Sequence, residues 1–413
     1  MSRELSPRPS RSRLLFALLY LGEGGPIGFI WWALPTWLRT QGLDVGRITI
    51  LTSILVLPWV GKFLWAPLID RTRGRRAGLR AWIVSAQLLM GFTLLPLIWL
   101  DPAGHFIAVA ALLLAHAFSA ATQDVAVDAL ALRLVPDDDR GRLNGAMQAG
   151  MLVGRSVFGG GALVLSAHVG FPVIIIALVA CVWASMMAVA FVREPDAPDA
   201  ARIGGGFWPE GATQIFRRRG TWLGLLFALT AGAAFESAGI LAGPMLIDHG
   251  IGKETIGWLL GLPVVAATII GGLLGGSLAD RLGHARTVTA GIVVFTLMVL
   301  ILSALNYAGA PTLAALALCL TGLYLGIGLF TASSYAFFMD LSRPPLAATQ
   351  FSAFMAATNG CEAWSSAVGG QIVLAHGYTI TFVIMAAVSL LSIPLVRATE
   401  RGRVRQGKRW AEG

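Results

Sequence analysis

Asp70-Arg71-Thr72-Arg73-Gly74-Arg75-Arg76 and Gly276-Ser277-Leu278-Ala279-Asp280-Arg281-Leu282-Gly283-His284-Ala285-Arg286 are two versions of one short basic stretch. Their aspartates lie 210 positions apart in a chain of 413 residues. Each version follows an apolar run long enough to cross a bilayer. A pattern that returns at half the chain length identifies two similar halves. Working outward from each copy gives six apolar runs per half.

The composition has the same origin. Hydrophobic residues make up 56% of the chain and charged residues 13%, well away from the roughly 45–50% and 25% of soluble domains. Twelve spans are predicted: 14–38, 48–68, 81–100, 105–134, 143–167, 170–192, 221–247, 255–279, 287–307, 311–340, 347–373 and 376–396. Turn chemistry such as Asp101-Pro102, Pro136-Asp137 and Pro344-Pro345 separates them. The expected organisation is a six-helix bundle over 1–192, a Pro-, Gly- and Arg-rich linker over 193–220, a second six-helix bundle over 221–396 and a basic tail over 397–413.

The formal net charge is +9, but the cations sit in short loops, which orient a membrane protein rather than bind nucleic acid. With the N-terminus, alternate loops and C-terminus on one side, that side holds 26 Lys and Arg against 3 on the other, Arg39, Arg47 and Lys253. The positive-inside rule then puts both termini in the cytoplasm. Cys181, Cys319 and Cys361 all fall inside spans, so no disulfide framework and no zinc spacing is expected. The chain has no Walker loop, His-Glu-x-x-His or convincing nucleophile elbow. It reads as no enzyme, with no cofactor of its own.

The repeated Asp-Arg stretch resembles the signature loop of the major facilitator superfamily, although Ala66 stands where that family usually has glycine. The resemblance implies an all-α membrane protein of twelve helices in two bundles related by pseudo-twofold symmetry, working by alternating access. It also implies a gate: Asp70, Arg71, Arg75, Asp280, Arg281 and Arg286 form a charged latch, in keeping with a carboxylate at a helix end beside guanidinium forks. Lys62-Phe63-Leu64-Trp65-Ala66-Pro67-Leu68-Ile69-Asp70 and Ser119-Ala120-Ala121-Thr122-Gln123-Asp124-Val125-Ala126-Val127-Asp128-Ala129 are similar to the AmpG-type permeases, which import muropeptides. Chain length, Gly24-Gly25-Pro26-Ile27-Gly28-Phe29 and Leu34-Pro35-Thr36-Trp37-Leu38 are more similar to the RhtX/FptX branch of siderophore permeases. That branch implies a monomeric, proton-driven inner-membrane importer of a pyochelin-type ferric siderophore, working downstream of an outer-membrane receptor. Iron would enter only as part of the chelated substrate. Muropeptide import is the alternative.

Ionisable side chains inside spans point to function because each costs a few kcal/mol at the bilayer centre. Glu23 and Glu236 lie near the middles of the first and seventh spans, 213 residues apart. Glu362, with Asn359 on the same face, lies in the eleventh, and Arg155 in the fifth. Either these groups line a central cavity, with Arg155 on a substrate anion and one glutamate carrying the proton, or Arg155 is a structural partner of one glutamate. Asp124 and Asp128 share a face of the fourth span. Asp128 is expected to pair with Arg71 or Arg75, while Asp124, with Gln123, is open between structural and transport roles. Lys62 is expected to pack or snorkel. Tyr324, Tyr335 and Trp32 are the aromatic candidates for the cavity wall, and Trp37 is expected in the interfacial belt.

Overall fold

The computed structural model describes residues 9–71, 78–102, 104–135, 140–190, 192, 219–309, 311–342 and 347–400. Among them, eleven continuous helices are long and apolar enough to cross a bilayer. Ten are α1 (Ser12–Thr40), α2 (Val45–Leu64), α3 (Gly78–Ile98), α4 (Phe106–Ala131), α5 (Arg142–Val169), α6 (Phe171–Ala190), α7 (Arg219–Asp248), α8 (Lys253–Leu282), α9 (His284–Tyr307) and α10 (Leu313–Leu341). The last, Gln350–Glu400, is 51 residues long, more than twice the roughly 20 a crossing needs. Gly377 breaks it with φ 78°, a value that favours glycine because no Cβ clashes there. It is therefore two crossings, α11 (350–376) and α12 (378–400). The same break separates α5 from α6 at Gly170, φ 79°, 207 positions earlier. The twofold repeat is thus present in the backbone as well as in the loops.

The backbone divides into two compact units. One holds α1, α3, α4, α5 and α6 with the last residues of α2 from Gly61 and the first turns of α8, up to Gly261. In it α1 lies directly on α5. Cβ atoms added at Gly24 and Gly28 would meet the backbone of Met151 and Arg155, and at Gly150 and Gly154 that of Ala17 and Leu21. Small residues at such crossings let helix backbones touch. Both helices loosen to π-helix beside this seam, at Phe29–Ala33 and Ser156–Gly161. On the other side of α5, Gly160 leaves no room for a Cβ against Gly257 and Gly261, and the Ser156 hydroxyl donates to the Gly261 carbonyl.

The other unit holds Leu43–Val60 of α2, α7, α8 from Leu262 and α9 to α12. Here the close seam is α8 on α10, where Gly271 and Gly275 sit against the backbone of Leu325 and Leu329. Aromatic rings fill the space between α7, α9 and α10: Phe235 meets Phe295 at 5.2 Å and Phe330 at 5.7 Å between centroids. The Ser53 hydroxyl of α2 donates to the Ala363 carbonyl of α11 at 2.5 Å.

Candidate functional site

Charge in the first unit gathers on the inner faces of α1, α2, α4 and α5. Glu23, 2% exposed, lies one turn beyond Tyr20 on α1. It is within electrostatic reach of Asp124, Asp128, Lys62 and Arg155, and its Oε2 is buried with no hydrogen-bond partner. Lys62, in the 3-10 turn after Gly61, closes an ion pair on Asp124. This corrects the expectation that Lys62 only packs or snorkels: its ammonium neutralises a buried carboxylate. Asp128 is exposed and accepts the Tyr20 hydroxyl at 2.6 Å. The arginines expected beside it, Arg75 and the side chain of Arg71, lie outside the described residues, as does the side chain of Asp70.

Arg155 is the last residue of α5 before the π turn, with its Nε buried and unpartnered. The seam of Gly28 on Arg155 backbone is what carries this guanidinium toward Glu23. Trp32, in the α1 π turn, covers Gly159 in the α5 π turn. Gln123 is fully buried beside Asp124, with both amide atoms unpartnered. Trp37, expected in the interfacial belt, stacks on Phe171 of α6 with ring centroids 3.9 Å apart.

The second unit is built differently. Helix α7 is interrupted at Ala231–Gly232, so Glu236 stands in the first turn of the segment Ala233–Asp248. There, the helix dipole favours negative charge. Glu236 and Glu362 both interact electrostatically with buried Cys361, which carries the α11 side of the cluster to Gly232. Asn359 lies partly buried one turn before Glu362. The buried Tyr324 sets its hydroxyl beside Gly239 of α7, where an added Cβ would lie 3.5 Å from the oxygen. Tyr335 is exposed and meets Phe351 edge-on at 6.4 Å. At the far end of α8, Asp280, Arg281 and Arg286 are all exposed. The side chain held across this end is Asp340 of α10, bonded to His284 Nδ1 at 2.8 Å.

Sequence reading missed Tyr20, Gln87 and His116. Gln87 of α3 donates to the Ser185 hydroxyl of α6 at 2.7 Å, and fully buried His116 of α4 faces the Met90 carbonyl at 3.1 Å. A polar side chain in the middle of an apolar span was the available signal.

The sequence model of the major facilitator superfamily matches residues 15–242 and 226–412. The chain belongs to the major facilitator superfamily. It is a multi-pass membrane transporter and not an enzyme. An uncharacterized protein of Haemophilus influenzae is 27% identical over 92% of this chain and 92% of its own length. The anhydromuropeptide permease of Escherichia coli (strain K12) is 26% identical over 94% of this chain and 79% of its own. Among solved structures, a D-xylose–proton symporter superposes with a TM-score of 0.76 at 13% identity, covering 94% of this chain and 97% of that one. That likeness establishes the major facilitator fold.

Proposed function

We propose that this transporter is a proton-coupled permease for anhydromuropeptides, carrying a peptide-bearing amino sugar across the inner membrane into the cytoplasm, with both termini on the cytoplasmic side. The likeness to the Escherichia coli permease over 94% of the chain supports the substrate class. The pyochelin-type siderophore expected from the opening residues has no such support, and the muropeptide reading replaces it. The distribution of Lys and Arg supports the orientation.

The observation that carries the proton coupling is the Glu23 carboxyl, enclosed in α1 with one oxygen unpartnered. An isolated carboxylate in such a place is costly, and its protonated form is not. Lys62 is committed to Asp124, leaving Arg155 as the neighbouring cation able to answer a substrate carboxylate. Arg155 presents the planar fork suited to a peptide carboxylate. Protonation of Glu23 frees Arg155 for the substrate, which links the two ligands.

The test is uptake of labelled anhydromuropeptide by proteoliposomes with and without an imposed pH gradient. Accumulation is expected only with the gradient. Accumulation of ferric pyochelin without any of anhydromuropeptide would return the assignment to the siderophore branch.

A further inference from the structure

We propose that His116, Gln123 and Gln87 hold a file of ordered water that gives Glu23 a second proton access, on the side away from Asp128. The proposal rests on the reading of Glu23 as the proton carrier. Its basis is a ring of buried polar atoms inside the first unit that the charged cluster leaves unused. Gln87 Oε1, His116 Nε2 and both amide atoms of Gln123 have no protein partner, and all three side chains are fully buried. Native proteins keep few such groups, and ordered water is their usual partner.

Local contacts tie two of these side chains to neighbouring helices, and the third lies beside Asp124 in the chain. On α1, Gly22 abuts the Ser185 hydroxyl, and a Cβ there would lie 3.8 Å from Gln87 Nε2. Met90, one turn beyond Gln87 on α3, offers its carbonyl to His116 Nδ1 at 3.1 Å. His116 and Gln123 are seven residues apart on α4, two turns along one face. Gln123 adjoins Asp124, which is within electrostatic reach of Glu23. The contacts therefore link α1 to α3 and α3 to α4.

The chemistry of His116 fits a relay. A carbonyl accepts only, so Nδ1 carries the hydrogen toward Met90, and the unpartnered Nε2 of neutral imidazole is a bare acceptor. A proton arriving from water binds Nε2, and the imidazolium returns it from Nε2 to the water beside Gln123. That water passes it to Glu23 Oε2, and the imidazole ends as it began. On the side of Asp128, Tyr20 lies one turn from Glu23 on α1 and donates to exposed Asp128 at 2.6 Å, and this pair supplies the other route. The charged or titratable groups packed around this region are Tyr20 and Glu23 on α1, Lys62 on α2, Asp124 and Asp128 on α4 and Arg155 on α5. An alternating carrier needs its proton site open to one side at a time, and two separate routes to one carboxyl supply that.

X-ray radiolysis of the reconstituted full-length protein tests the water directly, because bound water oxidises the side chains beside it. Met90 is fully buried, yet it is expected to be oxidised in the wild type and protected in His116→Leu, while buried Met385 stays unlabelled in both. An unlabelled Met90 in the wild type overturns the proposal. In proteoliposomes, His116→Leu should lower gradient-driven anhydromuropeptide uptake about a hundredfold, as loss of a proton-transfer group does, and leave substrate exchange without a gradient intact. Unchanged driven uptake, or equal loss of exchange, makes His116 a packing residue and ends the proposal. If the wild type carries no anhydromuropeptide at all, the substrate assignment fails, and Met90 labelling still decides the water file.

Discussion

Glu23 and Glu236 occupy near-equivalent places in the two halves, but their charges are compensated in different ways. Glu236 stands just past a helix interruption, where the dipole of a new helical segment favours its charge. Glu23 lies in unbroken helix and answers to side chains from three other helices, the cations Lys62 and Arg155 and the carboxylates Asp124 and Asp128 of α4. Around α7 the remaining volume is filled with Phe235, Phe295 and Phe330. The first unit instead spends buried space on Gln87, His116, Gln123 and Asp124. A duplicated scaffold therefore carries one carboxyl whose charge the backbone favours and one whose charge is conditional. The conditional one is suited to bind and release a proton.

The ion pair that sustains the first site offers the largest way to break this contrast. Asp124→Ala would leave the Lys62 ammonium unpaired. With Lys62 31% exposed, the cost is expected near the low end of the range for breaking a buried pair, about 3 kcal/mol. Thermal unfolding of the purified protein should show it, and Lys62→Ala/Asp124→Ala together should recover most of the stability. Glu236→Ala should cost less, its helix-terminus position being worth about 1 kcal/mol. Equal losses for the two single variants would mean that the halves do not differ in how they hold charge.

The glutamates themselves come next. Glu23→Gln should reduce gradient-driven accumulation about a hundredfold while keeping exchange of substrate across the vesicle membrane. Glu236→Gln should keep the driven component and change the half-saturating concentration only a few-fold, a helix-terminus carboxylate being worth about 1 kcal/mol. Initial rates over a range of concentrations, with and without a pH gradient, separate the two effects. Driven accumulation that survives in Glu23→Gln and fails in Glu236→Gln would exchange the roles assigned to the halves. Arg155→Ala is expected to lie between them, with driven uptake and exchange falling together by about tenfold, the loss of one charged hydrogen bond. Unchanged exchange in that variant would remove Arg155 from substrate binding.

The fold was legible because bilayer crossing imposes a length and a composition that hydropathy detects directly. The α11–α12 boundary, predicted between 373 and 376, falls in the structure at Gly377, the counterpart of Gly170. Glu23, Asp124, Asp128 and Arg155 were legible for a related reason: an ionisable residue within an apolar run stands out against its neighbours. Partners were not legible. Lys62 and Asp124 are 62 positions apart on different helices, and periodicity gives the face of each helix without saying which face it meets. Tyr20 and Asp128 are 108 apart, and a single tyrosine in an apolar helix resembles an ordinary packing residue. The π turns at Phe29–Ala33 and Ser156–Gly161 leave no composition signature beyond a few glycines, because they arise where two helices meet.

The smallest expected effect sharpens the comparison at the second copy of the basic stretch that opened the sequence reading. His284 and Asp340 are bonded across the ends of α9 and α10, but both remain partly exposed, 27% and 30%. Water screens such a pair, and its expected contribution is about 0.5 kcal/mol. His284→Ala should therefore lower the unfolding midpoint by only about 1–2 °C, with no change in exchange. Arg281 and Arg286 point into solvent beside it, so Arg281→Ala should also leave stability unaltered. If Arg281→Ala nevertheless changes the ratio of inward to outward transport rates, its partner is one that forms only during the transport cycle. That result would give the repeated loop a gating role that the static pair between His284 and Asp340 does not provide.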